Sequence, residues 1–524
     1  MTTRARTDRF RFLSATTAMG GALPLVLAGG ALPFAGLVHA QDDDAIAREL
    51  AELRAANAAL AEKVESLERS VAGDDWLTEA RATEIRGIVT DVLADAAVRD
   101  SLAGDGATAG WDRARNGFYI ESSDGNFRLN LRGQFQSRFV YDHRDDSGIS
   151  PAPQPNIHGF EMRRVRINFA GHVVDPSWTF TVTPVWGRIA AGNLVGSANG
   201  GLDNAWVRKD LGDGFGVKIG QFQPLHTREE SISSAQQQAV ERTTLNEIFS
   251  VRYSQGVQLE FGGREEDSFR AAAFYGDGLR AGAVFVPAAS NLPAGTDGGT
   301  ANTTFNANAA RYAFTGRAEW LGDGSWSLMR DFSSFRGKGS GWLVGVAAMA
   351  QGLQGLTTAA PAASDTESMW GVLADASFKF DGASLFVAGF YRRVDLEGDV
   401  AVRGGGTSDG MDQFGAIVQG GFFVSDTVEL FARYEWGDSD TDQFRTALTD
   451  IHYENASMLT VGFNWFISGD HSLKWSTDFG YAFDPVGDFN VAGADWLLDV
   501  AGTAGDGRTN DGQWVARSQL QWLF

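Results

Sequence analysis

The sequence predicts an all-β transmembrane barrel, antiparallel and of about sixteen strands with eighteen as the alternative count, preceded by an N-terminal α-helical coiled coil. Three observations predict it. Along residues 127–141, Phe127, Leu129, Leu131, Phe135, Phe139 and Tyr141 take one face of a strand, and Arg128, Asn130, Arg132, Gln134, Gln136 and Arg138 the other. Strands of soluble sheets run about 5 or 6 residues, and three arginines cannot sit unpaired in a dry core. A wall with lipid on one side and water on the other accounts for both the length and the arginines. Beyond the N-terminus there is no 18-residue apolar run that would make a membrane helix. Short turns such as Asp381-Gly382, a tight hairpin signal, mix with long Gly, Asn, Ala and Thr stretches such as 288–308 and 353–367, as the two ends of such a barrel require.

Taken in order, residues 1–40 read as an export signal. Arg4, Arg6, Arg9 and Arg11 lead into an apolar stretch from Leu13 to Leu37 that ends at Val38-His39-Ala40. That segment carries four arginines and one aspartate, so its removal takes the formal charge from −22 to −25. So acidic a chain disfavours nucleic acid as a partner. Residues 41–72 carry a seam of Ile46, Leu50, Leu53, Asn57, Leu60, Val64 and Leu67 at alternating spacings of four and three, which predicts a parallel periplasmic coiled coil. Asn57 occupies an a position and would fix register. A single amphipathic helix packed on a neighbour is the alternative. Residues 73–110 read as a second helical segment, with Leu77, Ile85, Ile88, Val89, Val92, Leu93 and Ala96 on one stripe, followed by a linker from Gly104 to Gly110.

The barrel is expected over 111–524. Clear alternating segments are Gly256–Phe261, Tyr312–Leu321, Trp370–Phe380, Val428–Trp436, Leu459–Ile467, Leu473–Tyr481 and Trp514–Phe524. Tyr434, Trp436, Trp465, Phe479 and Tyr481 cluster near strand ends on the expected lipid face, as interfacial girdles do. The last strand puts Trp514, Ala516, Leu520, Trp522 and Phe524 on one face, and a terminal strand ending in phenylalanine resembles the insertion signal of bacterial outer-membrane proteins.

Parity with apolar neighbours assigns Arg128, Arg132, Arg138, Arg164, Arg166, Arg317, Lys379, Arg433, Lys474 and Arg517 to the lumen. On the lipid face an arginine near mid-membrane costs about 2–4 kcal/mol. In the lumen such a row offers guanidinium donors to anions, or pairs with Glu319, Asp375, Glu429, Glu435 and Asp478 to stiffen the wall. The chain has no cysteine, which excludes disulfides, cysteine-ligated zinc and a lipoprotein anchor. His143, His158, His172, His226, His452 and His471 fall in no catalytic motif, so no enzyme is expected. Asp438-Ser-Asp440-Thr-Asp442 starts like a calcium loop, but Gln443 replaces its glycine and Thr449 its glutamate, and it reads as an acidic surface loop. Gly337-Lys338-Gly339-Ser340-Gly341 has the wrong spacing for a phosphate loop. No metal and no cofactor is expected.

Several segments resemble the phosphate-selective porin O and P family. They are Gly117-Phe-Tyr-Ile with Asp124-Gly-Asn-Phe-Arg-Leu, Gly159-Phe-Glu-Met-Arg-Arg-Val-Arg-Ile, Gly220-Gln-Phe-Gln-Pro-Leu with Arg228-Glu-Glu and Glu241-Arg242, Val428-Glu-Leu-Phe-Ala-Arg-Tyr-Glu, and Leu459-Thr-Val-Gly-Phe-Asn-Trp-Phe. The resemblance spans nearly all of 111–524. It implies a sixteen-stranded, trimeric outer-membrane porin for passive diffusion of small hydrophilic solutes or ions, with a loop after Gln223-Pro224 folded inward. That loop offers Arg228, Glu229, Glu230, Glu241 and Arg242 but no lysine, unlike the constriction expected of phosphate-specific members. The expected partners are outer-membrane lipid, small solutes or anions, further copies of the chain and, through the stalk, peptidoglycan. A structural tether of the envelope, with the barrel as a non-selective anchor, is the alternative function.

Overall fold

The computed structural model describes residues 54–63, 87, 106–112, 117–143, 156–186, 201–278, 310–353, 366–402, 405–438, 440, 455–484 and 512–524. The chain divides into two units, Met1–Arg99 and Asp100–Phe524. In the first, residues 54–63 are helical. Asn57 and Leu60 lie on that helix, whereas Leu50, Leu53, Val64, Leu67 and the export signal lie outside the described residues.

Among the described residues, the second unit is one sheet of eighteen antiparallel strands. A first group is β1 (Ala107–Asp112), β2 (Gly117–Ser122), β3 (Arg128–His143), β4 (Asn156–His172), β5 (Trp178–Trp186), β6 (Gly201–Gly212), β7 (Phe215–Phe222), β8 (Ser254–Gly262) and β9 (Phe269–Gly276). The second is β10 (Ala310–Asp323), β11 (Ser340–Leu353), β12 (Thr366–Phe380), β13 (Ala383–Ala401), β14 (Thr407–Phe423), β15 (Val428–Asp438), β16 (Asn455–Phe466), β17 (Leu473–Ala482) and β18 (Trp514–Leu523). Strands β3 to β18 pair each with the next, and β18 returns to pair with β3, closing a sixteen-stranded barrel. Closure leaves no open edge around the wall.

Strands β1 and β2 are the two additional strands. Residues 134–143 of β3 pair with β18, and residues 128–131 of the same edge pair with β2, so β2 continues the line of β18 past the chain end. The linker expected to reach Gly110 therefore gives way to a strand at Ala107, which pairs along β2. Phe524 exchanges backbone hydrogen bonds with Gly133, and a Cβ at Gly133 would fall inside the Phe524 ring's van der Waals envelope. Only glycine lets the terminal ring lie flat on β3 there.

The seam is stapled on the outer face by rings. Tyr141 lies between Trp514 (5.2 Å) and His158 (5.6 Å), and Phe479 adds to the other side of Trp514 (5.6 Å). Aromatic pairs of this kind are worth about 0.5–1.5 kcal/mol each beyond area. We expect Trp514→Ala to lower the thermal midpoint of the folded barrel more than the equivalent change at the solitary lipid-facing Trp342. Equal shifts in a heat-modifiability assay would show that the seam is not the weak line.

Alternation sorts the faces as the sequence predicts. Tyr434, Trp436, Trp465 and Phe479 are exposed on the outside. Asp381 and Gly382 both take positive φ (54° and 122°) in the two-residue turn between β12 and β13, which explains the Asp-Gly pair. The short connections, such as 213–214, 381–382 and 424–427, lie at one end of the barrel. One connection at that end is different: residues 324–339 between β10 and β11 include a 3-10 turn at Leu328–Arg330, with Met329, Phe332, Ser333 and Ser334 buried.

The interior is not wholly wet, contrary to the simple lumen that alternation implies. Ile232, Leu245, Ile248 and Phe249 from the loop after β7, with Phe332 from 324–339, form one apolar cluster with wall residues including Leu373, Phe386, Phe390, Ile417 and Met458. The physical reason lies in β13, where Phe386, Phe390 and Val394 point inward while Leu385 and Tyr391 point outward. A strand that is apolar on both faces is one packed on both faces.

Candidate functional site

The 31-residue stretch 223–253 crosses the barrel interior. It holds two short helices, α1 (Arg228–Ser231) and α2 (Thr244–Phe249), each N-capped by a threonine: Thr227 accepts from the Glu230 amide and Thr243 from the Asn246 amide. Several anchors tie it to the wall, among them these four. The carboxylate of Glu241 is held by three guanidiniums, those of Arg138, Arg163 (2.5 Å) and Arg164 (3.1 Å). Gln238 donates to Glu429 (2.7 Å) and Ser384 (2.9 Å). Lys474 donates to the Gln237 carbonyl (3.0 Å). Arg392 donates to the Ile248 carbonyl (2.9 Å) and lies over the Phe249 ring at 4.9 Å.

The sequence-assigned loop charges thus face protein. Arg228, Glu229, Glu230, Glu241 and Arg242 are all buried, and their work is to hold the loop in place. Glu229 accepts from the Thr243 amide (2.7 Å) and hydroxyl (2.6 Å), and Arg242 pairs with Glu230 (3.4 Å). The most open loop residues are neutral, Ser231 and Ser233 being exposed and Gln236 half-buried, while Arg252 keeps part of its surface and pairs with Glu247 (2.8 Å). Ser234 accepts hydrogen bonds from Arg166 (2.9 Å) and Gln134 (3.1 Å), which brings this crest against β3 and β4.

Burial pushes the Glu229 carboxyl up to about 7, against the pull of Arg433 and the Thr243 hydrogen bonds. Burial also opposes the charge on Glu241, but Arg163, Arg164 and Arg138 outweigh it and hold that carboxyl well below the usual range. His226, pushed down to about 3 by burial and by Arg317, is neutral at physiological pH. The raised Glu229 favours the folded state below its unfolded value of 4.5, a contribution lost as pH climbs through about 7. The lowered Glu241 does the reverse, contributing above its unfolded value and losing that contribution only in acid. Between pH 5 and 8, Glu229→Gln should therefore gain thermal stability over the wild type as pH rises. A difference that is flat across that window would remove Glu229 from the account.

The ten lumen assignments divide into two sets. Arg317 meets Glu319 (2.8 Å), Asp375 (2.7 Å) and the His226 carbonyl (2.8 Å). Arg433 reaches the Glu241 carbonyl (2.8 Å), and Arg517 pairs with Asp478 (2.7 Å). These three, with Arg138, Arg164, Lys379 and Lys474, are all under 9% exposed, covered by the loop or by 324–339. Their expected place on the inner face is what the fold has, but a front on open water is not. Arg128, Arg132 and Arg166 keep accessible surface. Arg128 pairs with Asp112 (2.7 Å) and Glu121 (2.9 Å) of the β1–β2 hairpin, Arg132 donates to Asn168 (3.2 Å), and Arg166 pairs with Asp203 (2.5 Å).

Inward basic residues that the sequence reading missed complete the accessible side. Arg208 pairs with Glu260 (2.7 Å), Lys218 with the same carboxylate (3.3 Å), and Arg270 with Glu319 while lying over Trp326 at 4.6 Å. Lys218 sits over both Phe222 (4.4 Å) and Trp206 (5.1 Å). The outward Val207 and Ile219 next to them were the available signal. Arg163 was missed for another reason. The pairing of β3 with β4 steps from Gln136↔Arg164 to Ser137↔Met162, so Arg163 is an extra residue in a β-bulge and turns inward beside Arg164. The run Met162-Arg-Arg-Val-Arg, with its doubled polar position, carries that bulge in the sequence.

A closed antiparallel barrel with an apolar outer face, an inward loop and a strip of accessible basic side chains on β3 to β9 is the architecture of a membrane-spanning barrel. Within that class, residues 130–338 match the model of the phosphate-selective porin O and P family, and the resemblance carried by the sequence motifs is borne out over that segment. The matched family is one of porins. Among solved structures, the chain is similar to an anion-selective porin from Comamonas acidovorans, with 11% identity, 76% of this chain and 99% of that one covered, and a TM-score of 0.45. It is similar also to OmpF of Salmonella typhi in complex with daunomycin (10% identity, 76% and 98% covered, TM-score 0.46) and to the outer membrane channel DcaP of Acinetobacter baumannii (11%, 77% and 99%, 0.43). No curated protein sequence matches the chain.

Proposed function

We propose that the protein is a passive porin with a mild preference for anions, whose solutes move along the β3–β9 side of the lumen. The single observation that carries this reading is the asymmetry of the interior. The β11–β18 side is filled by a dry core and buried ion pairs, while Arg132, Arg166, Arg208, Lys218 and Arg270 keep accessible surface opposite the neutral crest Ser231, Ser233 and Gln236. A guanidinium strip attracts anions and replaces part of their hydration. Asp203 and Glu260 within the strip offset part of its charge, which makes the preference mild. In planar bilayers a salt gradient should give a reversal potential of the anion-selective sign, and phosphate should reduce the chloride current. A folded, inserted protein that forms no channels would overturn the reading.

The assembly we propose is a homotrimer in the outer membrane, its barrel in lipid and its N-terminal coiled coil in the periplasm, within reach of peptidoglycan. Strands β5, β7, β8 and β9 have only 9, 8, 9 and 8 residues, against 19 in β13. At about 3.3 Å per residue and a tilt near 40°, eight or nine residues climb roughly 20 Å, short of the ~25 Å apolar band. A low wall on adjacent strands supports a neighbouring copy covering that side. An envelope-tethering role for the stalk is the companion proposal, and deletion of 44–70 with conductance intact but the envelope detached would support it.

A further inference from the structure

We propose that residues 324–339, the connection between β10 and β11, are a plug that enters the barrel from the mouth opposite the inward loop, holds that loop down, and keeps the β11–β18 side closed to solutes. The proposal rests on the channel reading above. Every other described connection at the short-turn end needs only a few residues, whereas this one folds back under the wall. It has its own apolar repeat: Trp326, Met329, Phe332 and Phe335 recur every third residue. Trp326 and Met329 pack with Leu321 and Leu343, Phe332 lies 4.8 Å from Phe386, and Phe335 lies 4.7 Å from Phe466 and 5.1 Å from Phe423.

Polar latches seat it at points spread around the rim. Asp331 is shared by Lys379 and by His471 (3.1 Å). Lys379 also donates to the carbonyls of Leu328 (2.6 Å) and Ser333 (2.7 Å), so one ammonium satisfies three acceptors of the plug. Ser333 donates to Glu429 (2.8 Å), the same carboxylate that accepts from Gln238 of the inward loop. Arg228 at the start of α1 donates to the Met329 carbonyl, and Phe332 shares a cluster with Ile232. Loop and plug therefore meet through one hydrogen bond, one shared carboxylate and one apolar cluster. Loosening the plug withdraws all three supports. Asp331 is in these terms a positioning residue, since it touches no accessible part of the lumen strip.

The cysteine-free chain allows a direct test. Ser334 is fully buried, so Ser334→Cys should react slowly with a membrane-impermeant maleimide. Adding Asp331→Asn should speed labelling by about tenfold or more as the plug opens locally, and single-channel conductance should rise. Heat-modifiable gel mobility verifies that each variant is folded, and His471→Ala, which removes only one of the two Asp331 partners, carries the same test if Asp331→Asn does not fold. Equal labelling with and without the substitution overturns the plug. Faster labelling with unchanged conductance overturns its pore-closing role. Wild-type protein that inserts but passes no current overturns the channel reading itself, whereas current indifferent to an opened plug overturns this proposal alone.

Discussion

Glu241→Ala is expected to release the inward loop. The substitution removes the carboxylate shared by Arg138, Arg163 and Arg164, while Glu161 stays paired with Arg138. Removing one partner of a buried ion pair costs about 3–5 kcal/mol, because the other charge stays desolvated. Here three charges lose the same partner at once. The loop is also the lid of the dry cluster, so its departure exposes Leu245, Ile248 and Phe249 to water. The expected result is a larger and noisier single-channel conductance, with selectivity moved further toward anions by the three uncovered guanidiniums. Glu241→Gln should fall between wild type and alanine, since an amide keeps hydrogen bonds but no charge. Wild-type conductance and selectivity in a folded Glu241→Ala barrel would show that the loop is held by its apolar contacts alone.

Arg317→Met is expected to be the most destabilising change in the wall. Arg317 donates to Glu319 and Asp375 on its own and a nearby strand and to the His226 carbonyl of the loop. Both carboxylates are buried, Glu319 at 1% exposure and Asp375 at 7%. Arg270 still reaches Glu319, but Asp375 loses its ion pair. A loss of about 3–5 kcal/mol is expected, read as a fall in the thermal midpoint. Neutralising the stranded carboxylate as well, as Arg317→Met with Asp375→Asn, should recover much of it, because Glu319 keeps Arg270 and no buried carboxylate is left unpaired. A double variant as unstable as the single one would assign the loss to packing and not to charge.

Much of the barrel was legible in the sequence because a strand's period is two and the two solvents differ. Tyr312–Leu321 and Val428–Trp436 alternate cleanly and lie in β10 and β15, and Trp514–Phe524 lies in β18 but for its last residue. The ten basic residues assigned inward by parity divide into seven that are buried and three, Arg128, Arg132 and Arg166, that keep accessible surface. The division between accessible and covered was not legible, since parity tells which side a residue faces and not what lies over it. Lys474 and Arg132 obey the same rule, yet one is covered by Ala235 and Gln237 and the other keeps open surface. Strand β13 hid the dry half for the same reason. Its inward Phe386 and Phe390 look like lipid-facing residues until the loop that packs on them is known. The plug was not legible, since its three-residue apolar repeat matches no strand.

The central claim is that solutes pass on the β3–β9 side and not through the filled half. Single cysteines at Arg208 and at Thr460, in a chain with no other cysteine, test it most directly with a small sulfonated thiol reagent added during single-channel recording. Modification of Arg208→Cys should reduce the current and the anion preference within the lifetime of one channel, while Thr460→Cys, buried on the filled side, should leave the current unchanged. Block at position 460 with no effect at position 208 would contradict the account.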